Sequence, residues 1–232
     1  MKYLSLLFVL MVSSCASFKG AGEFDKKEKF SYMSDTSERH MAEAFIPKGA
    51  GPFPGVIVVH GGGWRTGSLE DVRSIAKSLA SHGYTVMTIN YRFSPKDKHP
   101  APIEDLEQAL IHFKKNAPEY KLDTKQIGLW GYSSGAHTVA YYAYSKNDSE
   151  NKVQAVVAGG GPYDLTWYPH SPYIHDYIGK YRDDAIDEYF AASVTGLVKP
   201  GLPPTFLYHS VNDKLLEYTQ CTALEAKLEQ AH

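Results

Sequence analysis

The chain has 232 residues, 43% of them hydrophobic, with 24 basic and 26 acidic side chains for a formal net charge of −2. This length suits one larger α/β domain, and the hydrophobic share is ordinary for a globular core. No basic block stands out, so nothing points to nucleic acid as a partner, and the two cysteines, Cys15 and Cys221, form no Cys/His spacing that suggests a metal.

The N-terminus reads as a targeting segment. Lys2 supplies the positive region and residues 3–12 a short apolar one, too short to span a bilayer as a helix. It ends in Val12-Ser13-Ser14-Cys15, which resembles a bacterial lipobox. That resemblance implies a signal peptide over residues 1–15, a lipid on Cys15, export to the cell envelope and attachment to a membrane. A plain secretory peptide is the alternative. Residues 16–28 are small, polar or charged, as a tether is. A lipidated Cys15 leaves Cys221 without a disulfide partner, and a domain of this size does not need one.

Residues 29–34 and 41–46 are compatible with two initial strands, and residues 50–54 form a Gly/Pro turn. The β-branched run 56–59 reads as a strand buried on both faces. Residues 69–81 have helical spacing, with Ile75, Ala76 and Leu79 on one side and Gly83 as the stop. A strand at 84–89, a helix at 102–116, a strand at 127–130 and a helix at 136–144 follow. Strands at 153–158 and 205–208 and a closing helix at 216–230 complete the series. Alternation from residue 56 onward predicts an α/β fold with a mostly parallel, doubly wound sheet. One domain spans residues 29–232. Residues 160–200 interrupt the alternation with eight aromatic side chains, and are expected to form a cap-like excursion that lines part of a pocket.

Two motifs fall at expected strand ends, where such sheets place their chemistry. One is His60-Gly61-Gly62-Gly63-Trp64. The other is Gly131-Tyr132-Ser133-Ser134-Gly135, between a strand and a helix, the context of a nucleophile elbow. Together with Tyr91-Arg92-Phe93-Ser94-Pro95 and Pro100-Ala101-Pro102-Ile103-Glu104-Asp105, they resemble the α/β-hydrolase fold. Within it they resemble the esterase branch related to hormone-sensitive lipase and bacterial carbohydrate esterases. The resemblance implies Ser133 as nucleophile and the N–H groups of Gly62, Gly63 and Ser134 as oxyanion donors. Such donors are each worth roughly 2.7–4 kcal/mol in other enzymes. His60 precedes the nucleophile and is expected to pin the glycine loop. Asp213, in Leu207-Tyr208-His209-Ser210-Val211-Asn212-Asp213, falls on the triad acid position, with Asp164 as the rival.

The family's histidine base lies beyond one more helix and strand after the acid, and the chain stops at His232. The closing helix would carry His232 roughly 22 Å from the acid. His209, His137, His170 and His175 offer no convincing substitute. The expectation is therefore an α/β-hydrolase lacking its last strand and helix, with weak activity and an exposed edge at residues 205–208. Its substrate would be a small carboxylic or carbohydrate ester, cleaved through an acyl-enzyme at Ser133 without metal or organic cofactor. A peptidase of the same fold and a non-catalytic binding module are the alternatives.

Overall fold

A computed structural model describes residues 22–147 and 149–231. Cys15 and His232 lie outside these residues. The chain builds seven strands: β1 (Phe24–Ser31), β2 (Met41–Pro47), β3 (Phe53–Val59), β4 (Thr85–Ile89), β5 (Leu122–Tyr132), β6 (Ala155–Gly159) and β7 (Thr205–Tyr208). They form one sheet in the order β1-β2-β4-β3-β5-β6-β7. The β1–β2 and β2–β4 pairs are antiparallel, and every other pair is parallel.

The helices are α1 (Arg73–Ser81), α2 (Ala101–Lys115), α3 (Ala117–Tyr120), α4 (Ser134–Ser145), α5 (Pro172–Ile178), α6 (Ile186–Ala192) and α7 (Thr219–Ala231). Helix α1 packs on β2 and β4, while α4 packs on β5 and β6 and against α2. Two cores result because side chains alternate across a strand. Ile57 and Val59 join the large core with α2 and α4, whereas Val58 joins the smaller one with Ala76 and Ala80 of α1.

Several elements differ from their sequence expectation for identifiable reasons. Strand β1 begins at Phe24, earlier than its charged composition suggests; it is an outer strand whose lysines and glutamates face solvent or pair, as in Lys26–Glu28. The expected helix 69–81 opens as a 3-10 turn at Leu69–Val72, with a Ser68/Asp71 capping box, before α1 proper. Strand β5 reaches back to Leu122 because its first residues pair with Phe53 and Pro54. Residues 160–200 hold α5, α6 and three 3-10 turns.

Register sets where the loops emerge. Val59 pairs with Ile89 and Gly131, Tyr132 with Gly159, and Gly159 with Tyr208. The carboxyl ends of β3, β5, β6 and β7 therefore lie along one edge, and the segments after them are neighbours.

Helix α4 approaches that edge so closely that its first turn tolerates no side chain at one position. A Cβ on Gly135 would collide with the carbonyl oxygens of Val59 and His60. Backbone cannot retreat as a flexible side chain can, so Gly135→Ala is expected to lower unfolding free energy by about 1–3 kcal/mol, measured by urea denaturation. At the other end of the sheet, β7 pairs with β6 alone among the described residues, and Phe206 stands 57% exposed on it. Such an edge templates self-association. Phe206→Lys is expected to raise the monomer fraction in sizing chromatography at unchanged secondary structure.

Candidate active site

The turn between β5 and α4 is a single residue, Ser133, with φ 56° and ψ −124°. A side chain pays roughly 1–3 kcal/mol to sit in so sparse a region. Fixed neighbours hold it there. The Ser133 N–H donates to the Gly159 carbonyl at 2.8 Å, and its own carbonyl accepts from Ala136 and His137 N–H at 2.9 and 3.2 Å. The strand and the helix are thus folded back sharply, and Ser133 is carried at the crest of the turn.

After β3 the chain makes a second tight knot. Gly62, Gly63 and Trp64 all have positive φ, at 118°, 61° and 57°. The Gly62 carbonyl accepts from Arg65 N–H, Thr66 N–H and the Thr66 hydroxyl at 3.1, 3.1 and 3.2 Å. With that carbonyl turned into the knot, the N–H groups of Gly62 and Gly63 have no acceptor among the described residues, and neither has that of Ser134. Ser134 is buried and Gly62 and Gly63 are half-buried, and three unpaired backbone donors around one space form an anion-binding arrangement. The N-terminus of α4, at Ser134, adds the positive end of its dipole.

Gly62, Gly63, Ser133 and Ser134 line one cavity of about 490 Å³. Tyr168, Tyr173 and Ile174 from the 160–200 excursion close it on another side. The other rings of that excursion divide: Tyr163, Tyr177 and Tyr189 are buried, whereas Trp167, Tyr181 and Phe190 are exposed. Leu215, Leu216 and Asp71 also line the cavity without having been singled out from the sequence. The Leu-Leu pair follows the candidate acid with only Lys214 between, which is the signal that could have found it. Asp71 is marked only as a helix cap.

Asp213 sits in the turn after β7, and Leu215 and Leu216 carry that turn to the cavity. Its Oδ1 accepts from Leu216 and Leu215 N–H at 3.0 and 2.8 Å, which holds the carboxyl below the usual carboxylate range. Its Oδ2 is 3.6 Å from His209 Nε2. Asp164 is spent locally: Oδ1 accepts from the Thr166 N–H and hydroxyl, and Oδ2 from the Thr195 hydroxyl.

No histidine among the described residues lines the cavity. His60 is buried, stacks on Tyr91 and turns Nδ1–H to the Gly61 carbonyl at 2.6 Å. His137 gives its Nε2–H to the Ala192 carbonyl at 2.8 Å, and burial pushes its pKa down to about 3. His209 directs Nε2–H at the Leu216 carbonyl, 2.9 Å away. His175 pairs with Asp176 and packs on Tyr181, while His170 is exposed. The structure therefore assembles the serine and the three N–H donors, puts Asp213 at the adjoining turn, and brings none of these imidazoles to the serine.

A family model described as BD-FAE matches residues 43–228. The chain is 29% identical over 197 residues to the probable carboxylic ester hydrolase LipM of Mycobacterium tuberculosis, covering 78% of this chain and 46% of that protein. It is also 29% identical over 198 residues to the carboxylesterase NlhH of the same species, covering 73% and 59% respectively. The chain thus spans about half the length of the curated relatives it matches. A truncated carbohydrate esterase from gut microbiota superposes with a TM-score of 0.79 at 22% identity, over 92% of this chain and 86% of that one. Esterase B of Lactobacillus rhamnosis, inhibited by a tributyrin phosphonate, gives 0.79 at 22% identity over 99% and 78%. At such identities the two structures speak to the fold, which is that of the α/β-hydrolases. With the family match covering most of the domain, this chain belongs to the BD-FAE family.

Proposed function

We propose that the chain is a carboxylic ester hydrolase that works through an acyl-enzyme on Ser133. The observation that carries this reading is the meeting, in one cavity, of a strained serine with three backbone donors that lack acceptors. Ser133 Oγ adds to the ester carbonyl carbon, and the carbonyl electrons move onto oxygen. The N–H groups of Gly62, Gly63 and Ser134 stabilise that oxyanion without having to reorganise. Collapse expels the alcohol and leaves the acyl group on Ser133; water then adds to the acyl carbon and releases the acid.

The serine proton needs an acceptor, and in this reading Asp213 orients it. No histidine among the described residues lines the cavity, and His60, His137 and His209 are committed elsewhere, so the acceptor is the part of this machinery that the described residues do not supply. Loss of one triad member leaves about 10³–10⁴-fold catalysis over water in other serine hydrolases, so weak hydrolysis is expected of these 232 residues. The substrate is a small carboxylic or carbohydrate ester, in keeping with the names of the relatives and a cavity of about 490 Å³. Attachment to a bacterial membrane through a lipid on Cys15 completes the proposal and rests on the Val12–Cys15 pattern.

A second reading is a binding module without chemistry. It is favoured by the absence of an imidazole from the cavity among the described residues. Exogenous imidazole separates the two. If only the base is lacking, p-nitrophenyl acetate hydrolysis rises saturably with imidazole, by at least about tenfold, below the ~10²–10⁴-fold that a positioned general base contributes. Ser133→Ala is expected to show only the rate of free imidazole. Identical rates for the two proteins at all imidazole concentrations would leave the binding module standing.

A further inference from the structure

Helix α5 lies against the glycine loop with two tyrosines one turn apart. Tyr173 and Tyr177 are four residues apart and share a helix face. Tyr173 covers Gly63 so closely that a Cβ there would stand 2.5 Å from its ring. Tyr177 stacks on Trp64, with ring centroids 4.0 Å apart and planes within 7°. Tyr177 is fully buried and anchored at both ends on His99. Its phenol oxygen lies 3.0 Å from His99 Nδ1, and its carbonyl accepts from His99 N–H at 2.8 Å. Burial favours the neutral form of His99.

Trp64 is equally constrained. Its indole N–H donates to the Thr138 hydroxyl at 3.3 Å, and its carbonyl accepts from Ser94 N–H and hydroxyl at 2.9 and 3.1 Å. It nevertheless has φ 57°, a conformation that residues with a Cβ seldom hold unaided. It also directly follows Gly63. Rotation of Trp64 toward ordinary backbone angles would swing the Gly62 and Gly63 N–H groups away from the cavity. The Tyr177 ring lies flat on the indole and opposes that rotation, while the His137 ring meets it edge-on at 5.1 Å.

We infer that Tyr177 is a positioning residue: through its stack on Trp64 it holds the Gly62 and Gly63 N–H groups where an oxyanion forms. This inference rests on the ester-hydrolase reading above. Its signature is specific, because those donors act on charge that exists only in the transition state. Loosening them lowers kcat and leaves KM nearly unchanged. A plain core tyrosine would instead cost stability, with each folded molecule still turning over normally.

The test uses p-nitrophenyl acetate at saturating imidazole, with folded sites counted by phosphonate titration. Tyr177→Leu is expected to lower kcat about 10–100-fold, less than the outright loss of a donor, with KM within about twofold. Tyr177→Phe keeps the stack and is expected to stay within about threefold of the parent kcat. Should Tyr177→Leu fail to fold, Trp64→Phe decides, since it weakens the same stack from the other side and is expected to lower kcat at constant KM. An unchanged kcat per folded site, or a rise in KM alone, overturns the inference. If Ser133→Ala matches the parent, the ester-hydrolase reading falls and this inference falls with it. A normal loss at Ser133→Ala beside a fully active Tyr177→Leu overturns this inference alone.

Discussion

The site depends on the close approach of three pieces of backbone. The end of β3, the crest at Ser133 and the first turn of α4 come together with no room for a side chain at Gly135. That contact fixes the distance between the glycine loop and the serine turn. It also places the N-terminus of α4 beside the loop, so the free donors at Gly62, Gly63 and Ser134 surround one cavity. The parallel register from β3 to β7 delivers the turn holding Asp213 to the same edge. Packing on both sheet faces supplies the stability that such strained backbone consumes.

The backbone half of the site was legible in the sequence because it is local. A triple glycine after an apolar β-branched run, and a Gly-x-Ser-x-Gly between strand and helix, each state their geometry within a few residues. The alternation of strands and helices was legible for the same reason. Charge hid the start of β1, whose lysines and glutamates look like tether but pair within the strand and with β2, as Lys26 does with Glu28 and Glu43. Nor could spacing reveal which excursion rings face the cavity. Tyr173 and Tyr177 share a helix face, yet one lines the cavity and the other is buried against Trp64. That division is made by contact with a loop more than a hundred residues earlier.

The histidines show why residue type alone decides little. Three imidazoles around the site are already held by a partner: buried His60 by its own loop, buried His137 by the Ala192 carbonyl, and half-buried His99 by Tyr177. Burial disfavours the charged form of all three. A general base must accept a proton at neutral pH, and these rings are built to stay neutral and still. They serve the site by stiffening it. Helix α5 belongs to the same framework, because its contact with Trp64 braces the loop together with His137 and Thr138 of α4.

The central claim is that Ser133 is a nucleophile served by backbone donors. Its most direct test is covalent: incubation with a fluorophosphonate, tryptic digestion and mass spectrometry. The account predicts a phosphonyl adduct on Ser133 within the peptide spanning residues 126–146, formed slowly and absent from Ser133→Ala. An unmodified Ser133 after prolonged exposure of folded protein, or equal labelling of the Ser133→Ala variant, would contradict it.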